Sequence, residues 1–117
     1  MSIWRDGATK DPGFAKFKES IKRWKTANDE KDEGTKLFKE GKYEQALVHY
    51  RKAVEADENN KSFNSPVYMN IGTCLAKEGK LDKYREAIRE FNKSIECNPN
   101  YAKAYMKRSD CYEKLEK

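Results

Sequence analysis

The fold is decided by the stretch GTKLFKEGKYEQAL at residues 34–47, because much of it recurs later in the chain. The second copy reads GTCLAKEG at residues 72–79 and YREAI at residues 84–88, with three extra residues at 81–83. Recurrence at such a spacing is the signature of a repeat protein, in which each copy is one structural unit. We therefore assign the elements of the chain by comparing the two copies.

Each copy predicts a helix, a glycine stop and a second helix. Gly41 and Gly79 follow apolar-periodic segments, at the position where a left-handed helix cap is favoured. The second helices carry apolar residues at spacings of three and four, which indicates one buried face. These residues are Tyr43, Ala46, Leu47, Tyr50, Ala53 and Val54 in the first copy, and Tyr84, Ala87, Ile88, Phe91 and Ile95 in the second.

Prolines and serine suggest where the remaining helices begin and end. Ser65 and Pro66 predict the start of the helix between the two copies, with serine as the cap and proline in the first turn. Pro99 ends the second copy, because proline cannot continue a helix. A third pair begins at Tyr101, and the chain reaches only its first helix. The pattern predicts an all-α stack of antiparallel helix pairs with a truncated third repeat. Its uncovered apolar side chains predict either self-association through the C-terminal helix or a frayed end there.

The segment before the repeats has two parts. We expect residues 1–13 to be disordered and residues 14–27 to form an N-terminal helix. This helix carries an apolar stripe at spacings of three and four, made of Phe14, Phe17, Ile21 and Trp24. The favoured interpretation is that the stripe packs on the first repeat as a cap. A basic amphipathic helix with a tryptophan is also typical of contact with a membrane surface or nucleic acid.

Composition excludes several classes of function. Hydrophobic residues make up 37% of the chain and charged residues 38%, which suits thin layers of amphipathic helices. His49 is the single histidine, and Cys74, Cys97 and Cys111 are odd in number, widely spaced and without a C-x-x-C pair, so neither a zinc site nor a disulfide framework is indicated. We expect no enzyme activity, no metal and no cofactor. Free cysteines are typical of a reducing compartment, so we expect a cytoplasmic location.

Charge and hydropathy narrow the choice of partner. The net charge is +5 and the isoelectric point is near 9.0, which favours acidic partners. No apolar run is long enough to span a membrane, and the first residues lack the apolar core of a secretory signal. No nucleic-acid-binding motif is present either. We therefore expect an acidic protein segment as the partner, with neither nucleic acid nor membrane.

The glycine, leucine, tyrosine, alanine and proline positions of residues 28–117 together resemble the tetratricopeptide repeat (TPR) family. The resemblance implies a TPR α-solenoid with a preceding N-terminal helix, in which small residues lie where helices cross closely and aromatic residues fill the gaps between repeats. Glu58 departs from the family's proline at the end of the first repeat. The resemblance also implies a protein-binding concave surface lined by the first helix of each repeat.

Some members of this family hold the C-terminal Asp of heat-shock chaperones ending in Glu-Glu-Val-Asp in a "carboxylate clamp". The resemblance assigns the clamp positions here to Lys31, Asn70, Lys103 and Lys107, and Thr35 stands where the family has asparagine. Lys77 matches an accessory position that meets acidic residues upstream of the terminal Asp. Because Lys103 and Lys107 are four residues apart on a helix, they share one face.

The sequence also resembles the last repeat cluster of J-domain co-chaperones, although their His-Pro-Asp motif is absent. The similarity includes residues 31–34, the inter-repeat loop at 57–65 and residues 103–108. The implied partner is the acidic C-terminal peptide of a heat-shock 70 or 90 chaperone. The alternative is a TPR scaffold that binds a peptide or helix of another protein without any requirement for a terminal carboxylate.

Overall fold

A computed structural model describes residues 12–116, which form five helices and no strand. The helices are α1 (Pro12–Lys39), α2 (Tyr43–Ala56), α3 (Lys61–Ala76), α4 (Leu81–Cys97) and α5 (Ala102–Glu116). Helices adjacent in sequence pack on each other, and α3 also contacts α5. The end of α1 pairs with α2, and α3 pairs with α4, while α5 is the first helix of a third pair. The predicted all-α solenoid is confirmed.

Two glycines make the turns inside the first and second pairs. Gly41 has a φ of 80° and Gly79 a φ of 70°, a left-handed conformation that side chains with a Cβ atom rarely adopt. After α1, the Lys42 amide donates to the Leu37 carbonyl at 2.9 Å, which satisfies an acceptor at the helix end. The two glycine stops predicted from the repeat are confirmed.

Each pair is closed by an aromatic ring that lies against a glycine. Tyr50 and Phe91 are buried, and Cβ atoms placed on Gly34 and Gly72 would lie 2.8 Å from Tyr50 Cδ1 and 2.6 Å from Phe91 Cε1. Van der Waals contact between carbon atoms requires about 3.5–4.0 Å. The two helices of each pair therefore approach this closely because both positions lack a side chain.

The predicted start of α3 at Ser65 and Pro66 is wrong. The helix begins five residues earlier, at Lys61, because the Asn60 side chain caps it by accepting a hydrogen bond from the Phe63 amide at 3.3 Å. Pro66 lies inside the helix, which gives up one backbone hydrogen bond there. Ser65 instead joins α3 to α4: its hydroxyl donates to the Ser94 carbonyl at 2.8 Å, and the Ser94 hydroxyl donates to the Ser65 carbonyl at 2.7 Å.

The N-terminal helix also differs from its prediction. It is continuous with the first repeat helix over Pro12–Lys39, since neither glycine nor proline occurs between residues 14 and 33 to stop it. The stripe does not pack on the first repeat as a cap, because Phe17, Ile21 and Trp24 are 60%, 48% and 49% exposed. Of the segment predicted to be disordered, residues 1–11 lie outside the described residues, and residues 12–13 begin α1.

The cysteines are unpaired thiols. Cys74 and Cys111 are buried in the core, where free cysteine is usually found, and Cys97 is half-buried. Burial raises the pKa of the Cys74 thiol to about 12, and it also raises the pKa values of Cys97 and Cys111. The thiolate is the reactive form, so these residues contribute packing and little reactivity at neutral pH.

Candidate functional site

A groove of about 440 Å³ lies between α3 and α5 and is closed at one side by the end of α1. Its walls come from the first helices of the three repeats, which is where the family resemblance placed a binding surface. Apolar side chains form one part of the lining and polar side chains the other. The lining residues are Phe38 from α1, Met69, Asn70 and Thr73 from α3, and Lys103, Met106, Lys107 and Asp110 from α5.

Three of the predicted clamp residues meet in this groove: Asn70, Lys103 and Lys107. Lys103 and Lys107 are one helical turn apart on α5, so both ammonium groups reach the same space that the Asn70 amide faces from α3. None of the three side chains forms a hydrogen bond or ion pair with another described residue. Their donors are therefore available to a ligand, unlike the Thr73 hydroxyl, which donates to the Met69 carbonyl at 2.9 Å.

A second cavity of about 220 Å³ adjoins the first, because Thr73, Lys107 and Asp110 line both. It contains Lys77 on α3, the predicted accessory residue, and Lys114 on α5. The structure thus places four lysines, Lys77, Lys103, Lys107 and Lys114, along one continuous depression. A ligand longer than a single carboxylate would meet further cations as it continues from the first cavity into the second.

Lys31 lines neither cavity. Its ammonium lies 5.6 Å from the centroid of the Phe63 ring at the start of α3, and 4.0 Å from the Asp32 carboxylate. A cation over an aromatic face gains about 0.5–1 kcal/mol at an exposed site, an interaction that a ligand would have to replace. In this structure Lys31 is therefore separate from the three residues that meet in the groove.

Thr35 also lines neither cavity, and its hydroxyl is engaged within the first repeat. Its Oγ1 lies 3.0 Å from the Tyr50 hydroxyl, which belongs to a buried ring on α2. Burial raises the pKa of the Tyr50 hydroxyl, while the hydrogen bond to Thr35 lowers it. The clearest role of Thr35 in this structure is to provide a partner for a buried hydroxyl.

We expect Thr35→Val to lower the free energy of unfolding by roughly 1–3 kcal/mol, because valine keeps the shape but leaves the Tyr50 hydroxyl without a partner. Urea denaturation measures the change. Thr26→Val is the matched control, since Thr26 is exposed on α1 and its loss should change stability by less than about 0.5 kcal/mol. Equal stability of the two variants would show that the Thr35–Tyr50 contact contributes nothing.

Sequence reasoning missed several residues of the groove. Met106, Asp110 and Lys114 follow Lys103 by three, seven and eleven residues, so helical spacing alone places them on the same face. The positions of these three residues could therefore be predicted once Lys103 was assigned to the groove. Phe38 and Met69 lie on other helices, and only their packing shows that they form the apolar part of the lining.

Chemically, the groove is suited to an anionic ligand that also has an apolar group. Ammonium and amide donors bind carboxylate oxygens, and Phe38, Met69 and Met106 offer apolar contact beside them. Among the described residues, no group of three or more His, Cys, Asp and Glu side chains is arranged to hold a metal ion. No helix within residues 12–116 has the length and apolarity needed to cross a bilayer.

Comparison with known proteins relates this arrangement to a family. The family model of the tetratricopeptide repeat matches residues 37–60. DnaJ homolog subfamily C member 7 from Homo sapiens is 38% identical over 88 residues, which are 75% of this chain and 17% of that protein. The DnaJ homolog subfamily C member 7 homolog from Dictyostelium discoideum is 28% identical over 116 residues, 99% of this chain and 21% of that protein. The chain thus spans about a fifth of the length of these curated relatives.

A solved structure extends the likeness to three dimensions. The second TPR of Spaghetti (RPAP3), bound to the HSP90 peptide SRMEEVD, matches this chain with a TM-score of 0.69 and 31% sequence identity. The match covers 84% of this chain and 87% of that one. Nearly the whole of that domain therefore has a counterpart here.

Proposed function

Because this chain belongs to the tetratricopeptide repeat family and is a protein-interaction module, we propose that it binds the acidic C-terminal tail of a heat-shock 70 or 90 chaperone in the groove between α3 and α5. One observation carries the proposal: Asn70, Lys103 and Lys107 meet in that groove with no hydrogen bond or ion pair to other described residues. A C-terminal aspartate offers two carboxylates, and these three side chains offer two cations and one amide to receive them.

The energetics favour such a ligand. A hydrogen bond to a charged group contributes about 1.5–3 kcal/mol, although solvent exposure and immobilisation of the peptide reduce the net gain. Lys103 is exposed and Lys107 is half-buried, so the reduction is larger for Lys103 than for Lys107. The apolar side chains Phe38, Met69 and Met106 add contact for a valine next to the terminal aspartate. We expect micromolar affinity, about −8 kcal/mol.

The comparisons support the proposal without identifying the partner. The TPR of Spaghetti that this chain resembles is described as bound to a peptide ending in EEVD. The acidic residues before the terminal aspartate would continue toward Lys77 and Lys114 in the second cavity. Opposite charges along both cavities would then contribute to association as well as to affinity.

The proposal is tested by titrating the chain with a peptide that ends in Glu-Glu-Val-Asp and with the same peptide amidated at its C-terminus. Amidation removes one negative charge and leaves every side chain in place. We expect the free-carboxylate peptide to bind and the amidated peptide to lose most of the affinity. Equal binding of the two peptides would exclude a clamp and favour the alternative of a scaffold that recognises side chains alone.

Asp110 lines both cavities. Their other charged lining residues are lysines. No cation within residues 12–116 lies within ion-pair distance of its carboxylate, and its side chain is exposed. Its charge would therefore repel an acidic peptide without being neutralised by a neighbouring lysine. This makes Asp110 a residue that limits the affinity of the groove for acidic tails.

We expect Asp110→Asn to tighten binding of the Glu-Glu-Val-Asp peptide by roughly two- to fivefold, in line with the modest strength of exposed charge interactions. The gain should shrink at high ionic strength. Asp29→Asn is the matched control: Asp29 is exposed on α1, outside both cavities, and its loss changes the net charge equally. Isothermal titration at two salt concentrations measures the effect. Weaker binding by Asp110→Asn would mean that Asp110 positions the lysines.

A further inference from the structure

The first half of α1 projects from the repeats with an uncovered apolar stripe. Every side chain from Ala15 to Thr26 is exposed, including those of Phe17, Ile21 and Trp24. These three residues span about 10 Å of the helix axis at 1.5 Å per residue. Large apolar side chains arranged in one line on a projecting helix indicate an interaction surface. The surface named here the stripe consists of Phe17, Ile21 and Trp24.

The opposite side of the same helix faces the repeats. The Arg23 guanidinium lies 4.0 Å from the Asp57 carboxylate in the loop before α3, and 3.8 Å from Glu19. Glu19, Arg23 and Thr26 line a shallow cavity with Ala56 at the end of α2. Successive residues turn by about 100° around a helix, so the stripe lies on the side away from these contacts. The stripe therefore faces outward from the molecule.

The excess positive charge of the chain is concentrated in the helical segment that carries the stripe. Residues 12–27 contain four lysines and Arg23 against the single acid Glu19, a net charge of +4 out of +5 for the whole chain. Residues 28–117 carry a net charge of only +1. Lys18 precedes Ile21 by three residues and Lys25 follows Ile21 by four, so both flank the stripe. Neither lysine has an ion-pair partner within the described part of the chain.

We propose that this face of α1 binds an anionic lipid surface, with the stripe entering the boundary between headgroups and acyl chains. An exposed apolar ridge flanked by lysines is what a helix lying in the plane of a membrane presents. Anionic headgroups attract juxtaposed cations, which accounts for the charge beside the stripe. The sequence-based expectation of no membrane partner assumed that the stripe packs on the first repeat, and within residues 12–116 the stripe is left exposed.

Two other occupants fit less well. A second copy of this chain would bring two segments of net charge +4 together, and like charges oppose that association. An acidic protein would match the charge, but a protein normally receives an amphipathic helix in an apolar groove of complementary shape. Within the stripe, Ile21 lies between two aromatic residues, Phe17 and Trp24. Trp24 has the amphipathic ring typical of membrane interfaces. These features favour a lipid surface.

Vesicle binding tests the proposal directly. Trp4→Phe leaves Trp24 as the single tryptophan of the full chain, so its fluorescence reports the environment of the stripe. With vesicles of equal parts phosphatidylcholine and phosphatidylserine we expect cosedimentation and a blue shift of Trp24 emission. With vesicles of phosphatidylcholine alone we expect the affinity to be lower by at least roughly tenfold. No blue shift and no sedimentation with anionic vesicles would overturn the proposal.

Matched variants separate the stripe from general charge and hydrophobicity. Ile21→Ser and Lys18→Gln/Lys25→Gln should each reduce vesicle binding by roughly tenfold. Leu81→Ser removes an apolar side chain of similar exposure, 54%, and Lys52→Gln/Lys80→Gln removes the same charge elsewhere. Both controls should bind normally. Equal losses in the controls, or binding of soluble polyglutamate in place of vesicles, would overturn the lipid proposal. Unchanged binding of the Glu-Glu-Val-Asp peptide by all variants keeps this result independent of the groove.

Discussion

Replacing Lys103 with alanine is expected to weaken binding of the free-carboxylate Glu-Glu-Val-Asp peptide by roughly three- to tenfold, which corresponds to the loss of one charged donor whose gain is reduced by solvent exposure. Lys103 lines the groove opposite Asn70, so its loss leaves carboxylate oxygens that only Asn70 and Lys107 can satisfy. The amidated peptide should bind the variant and the unchanged chain about equally. Isothermal titration of both peptides gives the two affinities.

Lys52→Ala is the control for loss of one positive charge, because Lys52 is exposed on α2 outside both cavities. Lys31→Ala compares Lys103 with another lysine that the family resemblance assigns to the clamp. Since the Lys31 ammonium lies over the Phe63 ring and outside the groove, we expect a smaller loss than for Lys103→Ala. If Lys103→Ala and Lys31→Ala both bind the free-carboxylate peptide as well as the unchanged chain does, the clamp assignment is wrong and the scaffold alternative replaces it.

Replacing Gly72 with alanine is expected to destabilise the fold, although alanine is the better helix former by up to about 1 kcal/mol. The added Cβ atom would lie 2.6, 2.8 and 2.9 Å from three atoms of the Phe91 ring. Phe91 is buried and its ring is rigid, so the helices α3 and α4 must separate. Overpacking of this kind typically costs about 1–3 kcal/mol. Urea denaturation should show a lower midpoint with an unchanged slope.

A double-mutant cycle identifies the cause of the instability. Phe91→Leu alone should be destabilising, because it leaves a cavity where the ring packs. Gly72→Ala combined with Phe91→Leu should be less destabilising than the sum of the two single changes, since leucine vacates space for the Cβ atom. Simple additivity would mean that the contact between Gly72 and Phe91 does not limit the approach of α3 and α4.

Local signals in the sequence predicted the fold where one residue type satisfies one geometric need. Gly41 and Gly79 were identified as helix stops because few other residues adopt their φ values. The start of α3 was mispredicted because the sequence offers two capping residues, Asn60 and Ser65. Asn60 is the cap, since its side chain accepts a hydrogen bond from the Phe63 amide. The burial of Ser65 against Ser94, 29 residues away, cannot be read from local sequence. The continuity of α1 could be predicted from the sequence, because neither glycine nor proline lies between residues 14 and 33 to stop a helix.

The site was predictable to the extent that helical spacing determines which residues share a face. The positions of Lys103 and Lys107 relative to Asn70 followed from the family resemblance, and the structure brings these three together. The side-chain directions of Lys31 and Thr35 depend on Phe63 and Tyr50, which belong to other helices. The influence of Asp110 depends on two cavities meeting at one residue. Contacts of this kind arise from tertiary packing and leave no periodic signal.

The continuity of α1 links the stripe and the groove as parts of one rod. Phe38, which lines the groove, follows Ile21 by 17 residues, about 25 Å along the axis at 1.5 Å per residue. No proline interrupts the helix over this length, and its glycine, Gly34, lies against the buried Tyr50 ring, so the residue count largely sets the angle between the two surfaces. On a bilayer, the rod would hold the peptide groove at a constant distance from the lipid surface and in a constant orientation. Inserting one residue between Ala27 and Glu30 would rotate the stripe by about 100° relative to the groove, and it would also move Arg23 away from its contact with Asp57.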